Sequence, residues 1–566
     1  MTSSPLLGLA RKTVAVRHKR LPPPYPAIVL FFSVSDGASR AHVVHATGES
    51  FESAWQKGLT KLRGALPKWG VNGRWLRVDW LERAERITWG ILRNRLKLTK
   101  RNYFRHGLAF DADLRIAFLE QELNANAMLY GGNKIEHAVV NEANFAVYAK
   151  RRYGAGLKLD FSDNREVFVL SSRGVFCDET GSIQELGGIG PDAGRRHIEA
   201  LSNEQVLSLI HSSSNFLGRQ VRNDGTFEYG YHPCFDRRIK TYNTLRHAST
   251  IYAMAEAWEV TKDDELKVAI DRSLDHLVMT LIREVRLPDG TEAAFLVDVG
   301  DEIKLGGNAV AILALTKYCT ATGTTALLPL AEKLALGIRY MQEPITGAFV
   351  HILNYPSLSV KERFRIIYYE GEAAFGLMRL YEVTQDSRWL EVVEKAFGHF
   401  IAAGHWKHHD HWLGYCVNEL TRYRPEERYF RFGIQNVSDH LDFVASRITT
   451  FPTLLELMMA AREMLMRIGC LPQLQHLLAD IDLPKFKKAL EFRAHYLLNG
   501  YFWPEISMYF KNPERIVGSF FIRHHAFRVR IDDIEHYLSG FIAYRRYLSQ
   551  RPDFERLVLR HGQLLS

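Results

Sequence analysis

Two tyrosines and two carboxylates fall within five residues at Tyr368, Tyr369, Glu370 and Glu372. The positions that follow, Ala374, Leu377, Met378, Leu380 and Tyr381, keep the i, i+3, i+4, i+7 spacing of a buried helix. Carboxyl groups at the mouth of such a helix can give or take a proton, and tyrosines beside them can do the same or stack on a sugar face. Similar heads recur. Tyr229, Tyr231, Tyr242, Asn243, Arg246 and His247 gather at one helix start, and Lys304 stands near Gly306, Gly307 and Asn308 at another. Asp410, His411 and Trp412 open a third, and Arg530, Asp532, Asp533 and His536 open the last.

Three chemistries fit these residue types. In a glycoside hydrolase a protonated carboxyl donates to the leaving oxygen while a second carboxylate activates water, with Glu370 or Glu372 and Asp532 or Asp533 as candidates. In a uronate epimerase or lyase a Tyr or His removes the proton next to a carboxylate and an arginine offsets the enolate-like charge. Tyr368, Tyr369, His247, His536, Arg246 and Arg530 form that set. In a binding protein the same aromatics only stack on glycan. Each residue also has a structural explanation: first-turn carboxylates complement a helix dipole, Asp410 is suited to a helix cap, and a buried histidine can be a satisfied core group. His408 and His411 lie one helical turn apart, but no Glu-x-x-His or His-Glu-x-x-His pattern accompanies them, so neither a metal nor a cofactor is expected.

Helical hairpins must position these heads. Buried helices are predicted near 246–259, 304–320, 368–383, 410–421, 452–468 and 533–547, with amphipathic partners near 203–219, 265–283, 325–343, 387–402, 425–437 and 484–498. Six hairpins at irregular spacing favour a closed ring over an open array. Before them, strand patterns at 27–35, 41–46, 75–80, 107–110, 166–170 and 174–176 mix with helices at 50–66 and 116–129, which describes an α+β domain over about 26–190. Residues 1–25, basic and proline-closed, are expected to be a flexible arm, and residues 200–566 to form the toroid. No strand of any length is expected beyond the first domain.

The Arg-His at 246–247, Lys-Leu-Gly-Gly-Asn at 304–308 and Asp-His-Trp at 410–412, together with the hairpin count, resemble the (α/α)6 toroids of the six-hairpin glycosidase superfamily. The ending Arg530 to His536 is also similar to the Arg/Asp/His pattern near the C-terminus of glucuronyl C5-epimerases. The resemblance covers about 200–560. It implies a toroid whose inner helix starts meet in one funnel, and inverting glycoside hydrolysis, sugar epimerisation or uronate processing there.

Composition narrows the partners. The 566 residues exceed one ordinary core, and 46% hydrophobic with 24% charged residues describe a folded chain. A net charge of +9 favours an anionic glycan, while no long Lys/Arg run or nucleic-acid motif is present. Five scattered cysteines, Cys177, Cys234, Cys319, Cys416 and Cys470, form no Cys-x-x-Cys pair and suggest buried thiols in a reducing, cytoplasmic setting. No apolar run is long enough to span a bilayer. The sequence therefore points to a glycan-modifying enzyme working by acid/base chemistry, with a non-catalytic glycan-binding or scaffold protein as the alternative. It fixes neither substrate nor oligomeric state.

Overall fold

A computed structural model describes residues 5–69 and 73–565. Its helical part is a ring of twelve helices in six hairpins. The outer helices are α1 (Asn203–Gln220), α3 (Asp264–His276), α5 (Leu328–Tyr340), α7 (Ser387–Ala403), α9 (Glu427–Gln435) and α11 (Leu483–Tyr496). The inner ones are α2 (Thr244–Thr261), α4 (Leu305–Thr322), α6 (Tyr368–Thr384), α8 (His411–Tyr423), α10 (Thr453–Gly469) and α12 (Ile531–Leu565). Each inner helix packs on the next, and α12 packs on both α10 and α2, which closes the ring. The fold is an α+β N-terminal domain followed by an (α/α)6 toroid.

Burial explains the two kinds of helix. In α4 every residue from Leu305 to Thr316 is buried, as a helix walled by two inner neighbours and its own outer partner must be. In α7 the buried set Trp389, Leu390, Val393, Ala396, Phe397 and Phe400 forms one stripe. Small residues let the inner helices approach: a Cβ on Gly376 would lie 2.9 Å from the Ala309 carbonyl oxygen of α4.

The N-terminal domain is an antiparallel sheet of seven strands. Its main path runs His42–Gly48, Ile28–Ser35, Trp75–Thr88, Glu166–Asp178, Gly107–Ala109, Ala117–Phe118, with Ile183–Leu186 also paired to the fourth. All eight residues of Ile28–Ser35 are buried, because both faces are covered. Ile28, Leu30, Phe32 and Val34 pack with the helices Pro5–Arg17 and Phe51–Trp69, whereas Val29 and Phe31 join the core shared with the toroid.

Three expectations are corrected. Residues 5–17 of the expected flexible arm are a helix; residues 1–4 lie outside the described residues. Its basic side chains dominate the composition, but Leu6, Leu7, Ala10 and Val14 form an apolar stripe that seats on the sheet. Second, strands do occur after the first domain. Ile282–Arg286, Glu292–Asp298, Glu302–Lys304, Ile352–Asn354 and Val360–Glu362 form an antiparallel sheet among the inter-helix loops, and Gly230–His232 pairs with Arg237–Arg238 and Val529–Arg530. Most of these strands have two to five residues, too few alternations to stand out in sequence. Third, the cysteines are free, but Cys470 is exposed. Among the described residues no helix is long and apolar enough to cross a membrane.

Buried arginines join the two domains. Arg77 pairs with Asp79 at 2.7 Å, both essentially inaccessible, and also donates to the carbonyls of Gly194 and Glu505 at 2.9 Å each. Arg40 donates to the carbonyls of Ala125, Tyr509 and Cys234 at 2.9, 2.8 and 2.6 Å. Removing one member of a buried pair strands the other charge. We therefore expect Arg77→Ala to cost about 3–5 kcal/mol in urea unfolding, and Arg77→Met combined with Asp79→Leu to recover most of it. A loss below about 1 kcal/mol in the single variant would show that the junction does not depend on this pair.

Candidate active site

The first turns of the inner helices converge at one end of the ring. Arg246 of α2 pairs with Asp532 of α12 at 2.9 Å, and Ser249 donates to Glu535 at 3.1 Å. His536 Nδ1 lies 2.9 Å from Glu456 Oε2 of α10, without hydrogen-bond alignment, and 3.7 Å from Glu535. His411 Nε2 lies 4.0 Å from the same Glu456 oxygen, and the rings of His411 and His536 are 5.2 Å apart. Tyr415 donates to the other Glu456 oxygen at 3.1 Å. Asp410 lies behind His411, 3.3 Å from its Nδ1, and caps α8 by accepting from the Leu413 N–H at 2.9 Å.

Glu372 completes the floor from α6. It is buried, and its Oε2 has no hydrogen-bond partner. Gly306, in the first turn of α4, makes room for it: a Cβ there would sit 1.8 Å from that oxygen and 2.6 Å from the Tyr369 ring. The wall above is more open. The Tyr368 ring, 41% exposed, meets the His411 ring edge-on at 5.8 Å, and the Arg246 side chain is about one-third exposed.

Burial first, and then the negative charge of Asp410, push the Glu372 carboxyl from its ordinary 4.5 up to about 8; His536 and Arg246 pull the other way. Glu535 rises to about 8 mainly through burial. Burial alone would lower His536, but Glu535 and Glu456 outweigh it and hold its proton up to about 10. Asp532 is lowered despite its burial, because Arg530 and Arg246 flank it. The site thus holds two carboxyls that keep their protons, a protonated imidazole and, at its rim, a carboxylate fixed by arginines.

Not every expected residue reaches this floor. Glu370 accepts from His351 Nε2 at 3.3 Å, while His351 Nδ1 accepts the Arg365 N–H at 3.0 Å, so this pair ties the head of α6 to the preceding loop. Asp533 is held by Arg528 through two bonds of 2.7 Å and stands 3.4 Å from Arg530. With Asp532 bound by Arg246 and Arg530, neither aspartate is free to act as a base. His247 is fully buried between Tyr242 at 2.8 Å and the Ser273 carbonyl at 3.0 Å, and burial lowers it to about 4. Tyr242 also accepts from the Phe227 N–H, so this chain of bonds is structural.

Asn308 accepts from the Leu296 N–H at 2.7 Å inside the core. Asn243 caps α2 and bonds Asp298, which also binds Lys304. Tyr231 lies under Arg515, and Trp412 is buried beside His536 with ring centroids 6.0 Å apart. Tyr229 accepts from Arg246 at 2.5 Å and Arg530 braces Asp532, so these two orient the arginine and aspartate at the rim.

Sequence reasoning missed Glu456 and Glu535. Their signal is a lone carboxylate inside an apolar run, Leu454-Leu455-Glu456-Leu457-Met458, and one turn into α12. His411, Glu456 and His536 each offer a ligand atom, all within 4.8 Å of one another, so this trio could also hold a metal ion.

No family model matches the chain, and no curated protein matches it. Solved structures similar to it include a D-mannose isomerase at 13% identity and TM-score 0.46, covering 61% of this chain and 97% of that one. Cellobiose 2-epimerase from Spirochaeta thermophila matches at 11% identity and TM-score 0.45, covering 61% and 96%. Unsaturated glucuronyl hydrolase from Streptococcus agalactiae matches at 12% identity and TM-score 0.38, covering 62% and 94%.

A carboxyl raised on folding keeps a proton that the unfolded chain has released. Stability should therefore fall as pH rises from about 4.5 to 8, the window set by Glu372 and Glu535. Urea unfolding across that range should show a shallower fall for Glu372→Gln; an unchanged slope would mean that Glu372 ionises normally in the folded protein. Gly306→Ala should displace the Glu372 carboxyl at a cost of about 1–3 kcal/mol, read as a lower urea midpoint.

Proposed function

We propose that the ring floor is the active site of a carbohydrate-active enzyme that moves a proton at a sugar carbon next to a carbonyl, an epimerase or isomerase. One observation carries this reading: two histidines from different inner helices face each other at 5.2 Å, each with a carboxylate beside it. Asp410 lies 3.3 Å from His411 Nδ1, and His411 Nε2 is unpartnered toward the floor. His536 is held protonated. One histidine is thus suited to take a proton and the other to return one.

His411 Nε2 takes the proton from carbon, and the C–H electron pair forms a C=C bond while the carbonyl electrons move onto oxygen. Arg246 and the neutral Glu372 carboxyl stabilise that oxygen charge by ion pairing and hydrogen bonding. His536 then delivers its proton, to the other face of the same carbon for epimerisation or, once the hydroxyl on that carbon has passed its proton to the enolate oxygen, to the former carbonyl carbon for isomerisation. Tyr368 offers an aromatic face at the entrance for a sugar ring. The positive charge of the chain, +9 overall, favours an anionic sugar or glycan.

A second reading has its own support. Glu372, protonated beside the charge of Asp410, is also the acid that glycoside hydrolysis requires. The two readings part in deuterated water. Proton transfer at carbon puts solvent deuterium into recovered sugar, whereas hydrolysis yields new reducing ends without it. We expect deuterium uptake from a panel of neutral and uronate sugars, lowered about 10²–10⁴-fold by His411→Ala or His536→Ala. Glu372→Gln should remove an alkaline fall in rate near pH 8, since the protonated carboxyl is the working form. Loss of exchange on adding a chelator would reassign His411, Glu456 and His536 to a metal. Binding without turnover across the panel would return the protein to the glycan-binding alternative.

A further inference from the structure

The N-terminal domain meets the toroid around a cavity of about 340 Å³ that none of the floor residues lines. That volume lies near the lower end of small-ligand sites, roughly 300–1,000 Å³. Leu98, Tyr103 and Pro191 line it from the N-terminal side, and Ile448 and Tyr496 from the toroid. Apolar and aromatic walls of this kind suit the faces of a sugar ring.

Its polar lining is short of negative charge. Arg105 and Arg523 both line the cavity and share one buried carboxylate, Glu120, at 2.9 and 3.8 Å; Arg105 also donates to the Pro191 carbonyl at 3.0 Å and to that of Ala193, neither of which carries a net charge. Lys100 stands at the same cavity. Arg195 beneath it is already matched by Asp192 at 2.6 Å. Arg523 is 4% exposed, and its other contacts are the Asn102 carbonyl at 3.4 Å and the rings of Tyr103, Phe521 and Phe527. Two guanidinium groups against one carboxylate leave a positive charge uncompensated in a place where charge is costly.

A second observation points at a ligand. Asn499 lines the cavity and is 6% exposed. Its Oδ1 accepts from Arg195 Nε at 2.8 Å, which fixes the orientation of the amide, because an arginine can only donate. The Asn499 Nδ2 is therefore a buried donor, and it has no partner. An orphaned donor beside an unbalanced pair of arginines calls for an acceptor that carries negative charge.

We propose that this junction cavity binds a small anionic sugar, its carboxylate or phosphate received by Arg105, Arg523 and the Asn499 amide and its ring held between Tyr103 and Tyr496. The N-terminal domain then supplies half of a binding site, and the site is independent of proton transfer on the ring floor.

The test is calorimetric titration of the full chain with D-glucuronate, glucose 1-phosphate, inorganic phosphate and neutral glucose. Binding of one or both sugar anions, with glucose silent, is expected; phosphate binding as tightly as glucose 1-phosphate would overturn the sugar part of the proposal. Arg105→Gln should weaken binding at least about tenfold. Thr99→Trp, which fills the cavity mouth without touching the buried charges, should do the same and covers the case in which Arg105→Gln does not fold. No binding of any anion would overturn the proposal, as would binding that Thr99→Trp leaves unchanged. Neither result bears on deuterium exchange at the ring floor, so the two readings stand or fall separately.

Discussion

The closure of the helical ring is the constraint on which the rest depends. α12 must lie between α10 and α2, and the Ser249–Glu535 contact that joins it to α2 spans 286 residues of sequence. Arg246–Asp532, Ser249–Glu535 and the pairing of Val529–Arg530 with Gly230–Tyr231 all cross this seam. If the seam opened, Glu535 and His536 would separate from the groups that set their protonation, and the floor would cease to exist as an electrostatic unit. The closed ring also excludes water from the carboxylates, which is why burial is the first cause of the raised Glu372 and Glu535 values.

Closure concentrates charge of one sign, and the structure answers it in two ways. Asp532 and Asp533 at the rim are neutralised by Arg246, Arg528 and Arg530. Deeper in, no arginine reaches Glu372 or Glu535 with an ion pair among the described residues, so protonation does that work instead. His536 keeps its proton because the acidic groups of Glu535 and Glu456 adjoin it. A gradient from ion-paired rim to protonated floor gives neighbouring side chains different proton affinities, which is what an acid and a base acting on one substrate require.

The N-terminal sheet is fixed to the ring by the same economy of charge. Its strands bury both faces, one under two helices and the other against the toroid, so its polar backbone and its arginines must be satisfied across the junction. Arg40 and Arg77 are, through backbone carbonyls and Asp79. Arg105, which also donates to the Pro191 and Ala193 carbonyls, and Arg523 share a single carboxylate beside an open cavity.

Much of this architecture was legible in the sequence. Apolar periodicity located all six hairpins, because a helix walled by other helices must be apolar on most of its surface, and that pattern is local. The head residues Glu372, His411, Arg246 and His536 were visible for the same reason, as polar groups where an apolar helix begins. What tertiary structure decided was which heads face one another. His247 and His536 look alike in sequence, yet one is fixed between Tyr242 and the Ser273 carbonyl and the other lies beside Glu456. Glu370 and Glu372 are two residues apart, about 200° around a helix, so only one can point to the floor. His408 and His411 are three residues apart in sequence, yet the groups that His411 faces across the floor come from α10 and α12. The sequence determines the helices and the residue types at their heads through short-range periodicity. The proton affinities and the pairings depend on distances that exist only once the ring has closed.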